Sequence, residues 1–219
     1  MAKKQIPIYQ YTTKDWQALE KFIESGIGKY DFVYHELASP DIHCDIYVIN
    51  PTKEYPFYRL LTFGAGAYKM KVPGKLTREQ SAELARAEYM ISLPVNWDLE
   101  LKNDTSYWPV KILKTAARLP IMCKTWLGFG HTVQYDEDIT QCYPGTNFNS
   151  FLVSEFTENN KRSLTAQLPS GKLVNFYQLI PLYPQELEYA LNNSSIELLD
   201  KLEQQKHFEV IDPNRKTVI

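Results

Sequence analysis

The sequence predicts an α+β fold, a mixed and mainly antiparallel sheet with helices packed on it. Three observations lead there. Helix-like and strand-like segments are mixed without the strand–helix–strand rhythm of a doubly wound parallel sheet. The second half of the chain consists mostly of short extended runs, two of them joined by the tight turn Pro169-Ser-Gly-Lys172. The helical segments are amphipathic and bounded by Gly and Pro, as suits helices lying on a sheet.

Taken in order, the first helix carries Trp16, Leu19, Phe22 and Ile23 at helical spacing, with Thr13 as its cap and Gly26 and Gly28 as its stop. A strand over 32–37 is followed, after Ser39-Pro40, by a second over 42–49. There Cys44, Ile46 and Val48 alternate with His43, Asp45, Tyr47 and Ile49, so the two sets face opposite sides. Asn50-Pro51 ends that strand, and a third over 58–63 closes at Gly64 and Gly66. After a basic, turn-rich stretch, Thr77-Arg-Glu-Gln80 reads as a capping box opening a short helix to about residue 86. Tyr89-Met-Ile-Ser-Leu93 is short and apolar before Pro94, a buried strand, with Trp97 in the loop beyond. The central helix spans 108–119, with Pro109 in its first turn, Val110, Leu113 and Ala117 on one face, Ile112 and Ala116 beside them, and Pro120 as its end. Extended segments follow over 126–135, 148–156, 163–168 and 173–180. Two helices, 185–191 and 195–205, and a short strand over 208–211 complete the chain. We divide it into a helical extension, 1–29, and a domain, 30–219.

The 219 residues are enough to bury a substantial core, about 70% of the unfolded surface by size scaling. With 44% hydrophobic and 23% charged residues the composition is that of a globular protein. Twenty-four basic against 26 acidic residues leave a formal charge of −2, without the basic footprint of general nucleic-acid binding. No apolar run of signal-peptide length follows Met1, and none approaches the roughly 18 residues of a membrane span. Three widely spaced cysteines (Cys44, Cys123 and Cys142) then read as reduced thiols, and the expected location is the cytoplasm.

Most searches for chemistry end without a site, and no cofactor or metal is expected. Phe63-Gly-Ala-Gly-Ala-Tyr68 lacks the third glycine of a dinucleotide loop, and Gly74-Lys75 is followed by Leu76 where a phosphate loop needs Ser or Thr. His35, His43, His131 and His207 form no i, i+4 pair on a helix, and the cysteines form no CxxC. Glu36 and Asp45 can meet on adjacent strands, a pairing more in keeping with structure than with acid–base work. Cys123 and Cys142 flank His131, and with Asp136 or Asp138 as orienter they outline a Cys–His hydrolase or transferase as the alternative reading. The segment best suited to contact is Trp126-Leu-Gly-Phe-Gly-His-Thr-Val-Gln-Tyr135 with Asp136-Glu-Asp138, which sets aromatic residues, a titratable imidazole and acids together. Its candidate partner-binding residues are Trp126, His131, Tyr135, Asp136 and Asp138.

Several segments, in order, resemble the suppressor-of-fused domain family. They are Asp45-Ile-Tyr-Val-Ile-Asn-Pro51, Pro56-Phe-Tyr-Arg-Leu-Leu-Thr-Phe-Gly64 and Ala87-Glu-Tyr-Met-Ile-Ser-Leu-Pro94 with Trp97. Trp108-Pro-Val-Lys-Ile-Leu113, Ala117-Arg118 and Gly130-His131 follow, then Phe176-Tyr-Gln-Leu-Ile-Pro-Leu-Tyr183, Glu186-Leu187, and Asp212 with Arg215. The compact length is similar to that of bacterial members. The resemblance implies an α+β domain that binds other proteins and has no established catalysis. Animal relatives clamp an extended peptide of a transcription factor, and many bacterial relatives are thought to be immunity proteins neutralising a cognate toxin. For the animal peptide-binding groove it implies an acidic residue after the glycine matched by Gly130, where this chain has His131, so the same peptide is not expected to bind. The partner expected here is therefore another protein, a toxin domain in the first instance, rather than nucleic acid or a membrane.

Overall fold

Period-two alternation along the strands divides the core into two faces. In the computed structural model, which describes residues 8–156, 164–205 and 208–219, Cys44, Ile46 and Val48 join one buried cluster and Tyr47 and Ile49 another, across the same strand. Strands buried on both sides need helices on both sides, and that is the architecture. Helix α3 (Asp104–Met122) covers one face through Trp108, Val110, Ile112, Leu113, Ala116 and Ala117. On the other face lie α1 (Thr13–Gly26), through Leu19 and Ile23, and α5 (Ser195–Glu203), through Leu198, Leu199 and Leu202, with α4 (Pro184–Asn192) beside it. Helix α2 (Arg78–Leu84) buries no residue.

The strands are β1 (Tyr30–Tyr34), β2 (Asp45–Ile49), β3 (Phe57–Phe63), β4 (Ala87–Pro94), β5 (Thr132–Gln134), β6 (Ser150–Glu155), β7 (Leu164–Gln167) and β8 (Leu173–Leu182). Their order is β1-β2-β3-β4-β8-β6-β5, with β7 pairing separately on β8. Among the described strands only β4 and β8 pair in parallel; the other strand-to-strand pairings are antiparallel, as the fold class anticipated. Among the described residues no helix is long and apolar enough to cross a membrane, and no group of three or more His, Cys, Asp or Glu is placed to hold a metal ion.

Element boundaries differ from expectation where a local bond outweighs residue preference. The cap of α1 is Thr12 rather than Thr13, its hydroxyl oxygen accepting the Asp15 N–H at 3.2 Å. Helix α3 starts four residues before Trp108 because Asn103 Oδ1 accepts the Ser106 N–H at 2.9 Å. It also runs past Pro120 to Met122, its buried face on the sheet sustaining the turns that two prolines weaken. The expected strand over 126–135 shrinks to Thr132–Gln134, since Gly128 and Gly130 turn the chain first. The last strand reduces to an isolated bridge between Ser92 and Val210. Ser163, at the start of the strand expected over 163–168, and His207 lie outside the described residues. The capping box at Thr77 and the turn through Gly171 (φ 80°) are as read.

A buried carboxylate ties α1 to the β7–β8 turn. Asp15 accepts the Ser170 N–H at 3.1 Å and the Lys172 ammonium at 3.3 Å. Burial alone raises its carboxyl, but the bonds from Ser170 and the ammonium of Lys172 outweigh it and hold the group below the ordinary carboxylate range.

Candidate functional site

Strand β5 ends the sheet, and what precedes it is a tight turn. The His131 N–H donates to the Gly128 carbonyl at 3.2 Å, with Gly130 at φ 80°, a conformation that favours glycine at the third position of such a turn. The glycines also permit close approach. A Cβ on residue 128 would lie 3.0 Å from the Trp126 ring, and one on residue 130 would lie 3.2 Å from Ser195 Oγ. The Gly128 N–H in turn donates to His131 Nδ1 at 3.3 Å, so the imidazole closes the turn it follows. Trp126 meets the imidazole edge-on, with ring centroids 4.4 Å apart. Burial pushes the His131 pKa down, which leaves the ring neutral at neutral pH.

These residues border an open groove of about 720 Å³. One wall is the end of α3 and the following loop, with Leu119, Thr125 and Trp126; the other is Ala190, Leu191 and Ser195 from the far face of the sheet. Between them runs 130–134, including all of β5. Among the described residues that line it, none is Asp, Glu, Lys or Arg. Leu191, 70% exposed, leaves apolar surface open to solvent at this wall.

The backbone of β5 has one side in use. Val153 N–H donates to His131 O, and Tyr135 N–H donates to Asn149 O, both at 2.8 Å. In an antiparallel pair the residues that face the partner strand alternate with those that face away. Residues 131, 133 and 135 therefore face β6, and the N–H and C=O of Thr132 and Gln134 face outward, where β5 has no second neighbour among the described strands.

Of the five candidate contact residues, the structure brings Trp126 and His131 together in the groove. Tyr135 lies just beyond, packed on Tyr143 with centroids 4.6 Å apart and covered by Lys111, whose ammonium is 4.8 Å from the ring centre and bonds the phenol oxygen at 3.2 Å. Asp136 and Asp138 are exposed on the next loop, outside the groove lining. Both shape that loop: Asp136 Oδ1 accepts the Asp138 N–H, and Asp138 Oδ1 accepts the Thr140 N–H and hydroxyl. The Thr140 bonds, then one from Gln141, hold the Asp138 carboxyl below the ordinary range, so it remains an anion. The cysteines do not join them. Cys142 Sγ lies 3.8 Å from Thr140 O, Cys123 is exposed after α3, and among the described residues no hydrogen bond links His131 to either thiol.

Two features escaped the linear reading. Ala190, Leu191 and Ser195 reach the groove from 60 residues further along, and no local pattern announces that. The suspected carboxylate pair is part of an ion network between the β1–β2 connection and α3. Asp45 accepts the Glu36 N–H at 2.8 Å and faces His35 Nδ1 at 3.1 Å, while Arg118 binds the Glu36 carboxylate and lies 3.4 Å from Asp41. This network anchors α3 against the sheet, consistent with a structural pairing.

Fold and site together define an α+β domain whose mixed sheet ends, on the β5 side, in an edge that faces no described strand and lies beside a groove with no charged residue among its described lining. The family model for "Suppressor of fused protein (SUFU)" matches residues 40–216, and the chain belongs to the suppressor of fused family. It is 27% identical over 226 residues to the uncharacterized protein UU111 of Ureaplasma parvum serovar 3, covering 96% of this chain and 98% of that protein. Among solved structures it is similar to the crystal structure of a Sufu–Fu complex, with TM-score 0.65, 14% identity, and 95% of this chain and 93% of that one covered. It is also similar to a suppressor-of-fused homolog from Neisseria gonorrhoeae FA 1090, with TM-score 0.56, 18% identity and coverage of 95% and 97%. Drosophila Suppressor of Fused gives TM-score 0.57 at 14% identity; 93% of this chain corresponds to 50% of that one.

Proposed function

We propose that this protein is a non-catalytic binding module that takes an extended segment of a partner protein as an additional strand on β5, and that the partner is a cognate toxin domain kept inactive by the complex. The carrying observation is the unused edge of β5, with the outward backbone groups of Thr132 and Gln134 beside a groove that can accept side chains. Trp126 and His131 are the contacts within the groove. Tyr135, Asp136 and Asp138 extend the surface past the end of the strand. A structural neighbour crystallised as a Sufu–Fu complex supports a protein partner; a toxin as that partner is what the resemblance to bacterial members implies.

Gln134→Pro tests the docking mode. It removes an outward N–H, and proline is tolerated on a strand edge whose N–H bonds no neighbour. Tagged wild-type and variant protein, purified side by side from native cells, are expected to differ in one stoichiometric partner, present with the first and absent from the second. Free wild-type protein should also inhibit that partner's activity. Equal capture by both, with the variant folded by circular dichroism, would refute addition at β5; a partner whose activity is untouched would refute the toxin assignment.

A further inference from the structure

We propose that the groove beside β5 selects segments whose groove-facing residues are uncharged, and that His131 reads such a segment by donating its Nε2–H to an acceptor on it. The inference rests on the docking reading above and adds the chemistry of the occupant.

The selection against charge follows from the lining. A side chain seated between Trp126 and Leu191 loses water, and no Asp, Glu, Lys or Arg among the described lining residues compensates a charge brought there. The polar atoms available are those of Thr125, Thr132, Gln134, Ser195 and His131, all suited to neutral hydrogen bonds. An uncharged occupant with apolar side chains at alternate positions meets those walls at the spacing of an added strand.

The donor role follows from the turn. A neutral imidazole has one N–H and one lone pair, and which nitrogen carries the proton is set by the bond the other makes. Here the Gly128 N–H points at Nδ1, which must therefore hold the lone pair, and the ring proton sits on Nε2. Contact with Trp126 holds the ring, and Nε2 has no hydrogen-bond partner among the described residues. His131 thus offers the occupant a positioned neutral donor.

Selection from random peptides of about seven residues displayed on phage, a length that spans 130–134 with overhang, tests this directly. Peptides that bind wild-type protein but not Gln134→Pro are the probes. They are expected to lack Asp, Glu, Lys and Arg over their central residues, and Trp126→Ala should weaken them by about 30-fold or more, as for a hot-spot aromatic. His131→Gln, which keeps an N–H donor, should hold affinity within a few-fold, while His131→Phe, which keeps a ring and loses the donor, should cost roughly tenfold. Edge-dependent peptides with charged centres, or equal affinity for the Gln and Phe variants, would overturn the inference and leave the docking reading standing. Peptides that all bind Gln134→Pro as well as wild type would overturn both.

Discussion

Replacing Arg215 with alanine is expected to lower the unfolding free energy by about 3–5 kcal/mol, the cost of leaving a buried charge without its partner. The guanidinium meets Glu186 in a fork, Nη1 to Oε1 at 2.6 Å and Nη2 to Oε2 at 2.5 Å, and Glu186 is fully buried. The same carboxylate accepts the N–H of Tyr183 at 2.9 Å and of Val218 at 3.1 Å, joining the start of α4 to the C-terminal segment. Arg215 also donates to the Pro181 carbonyl at 3.0 Å and stacks on Tyr183 and Phe148, 4.7 and 5.1 Å from their ring centres. Its loss therefore strands an anion and opens the packing above β6 and β8. A fall in Tm of roughly 6–20 °C should accompany it. Adding Glu186→Gln to the variant should restore part of the loss, because a neutral amide is cheaper to leave unpaired. A single-variant loss below about 1 kcal/mol in urea unfolding would contradict a buried, mutually dependent pair.

Glu88→Ala should be similarly damaging, at about 4 kcal/mol, through the loss of charge-assisted bonds and the burial of unpaired donors. Oε1 accepts from Tyr11 Oη at 2.7 Å, Gly64 N at 3.0 Å and Gly66 N at 3.1 Å; Oε2 accepts from Thr62 Oγ1 at 2.5 Å and Ala65 N at 3.2 Å. This single carboxylate thus folds the loop after β3 over the sheet and pins the segment before α1. Glu88→Gln refines the prediction. Its oxygen can serve the three donors on one side, and the Thr62 hydroxyl can turn to accept from the amide, but Ala65 N–H then opposes another N–H. A loss of about 2–3 kcal/mol is expected. A cost under 0.5 kcal/mol, within the range of surface substitutions, would mean the carboxylate does not organise the loop. Burial raises the Glu88 carboxyl, against the lowering bonds of Thr62, Tyr11 and the loop amides. Between the ordinary and the raised value the folded state binds more protons than the unfolded, so this group's contribution to stability falls as pH rises through that window.

Both carboxylates lie in segments that carried the family resemblance, and their roles show what linear reading reaches. The alternation of Cys44, Ile46 and Val48 against Tyr47 and Ile49 announces a strand with two opposite faces, because period two is a property of the backbone; that both faces are buried is visible only in the structure. Thr77 announced its capping box because its partner is three residues away. Glu88 gave no such sign, since four of its five donors come from 62–66 and the fifth from Tyr11, 77 residues distant. The same holds for the groove. Trp126 and His131 stood out as an aromatic and an imidazole beside glycines, whereas Leu191 and Ser195 look like ordinary residues of a helix end and a helix start. Asp136 and Asp138 drew notice as a charge cluster, yet much of their bonding is spent on their own loop. Extended sequence around two glycines reads as one strand, and the turn at Gly130 cuts it to three residues.

On the proposed reading a partner adds a strand to β5. Hydrogen–deuterium exchange measured on the free protein and on its complex with the captured partner tests it at the atoms concerned. The outward amides of Thr132 and Gln134 should exchange freely alone and become protected by tenfold or more in the complex, each closed by a bond of about 1.4 kcal/mol or better. The β6-facing amides of Val133 and Tyr135 should change less. Unchanged exchange at Thr132 and Gln134, with protection appearing on another surface, would contradict the account.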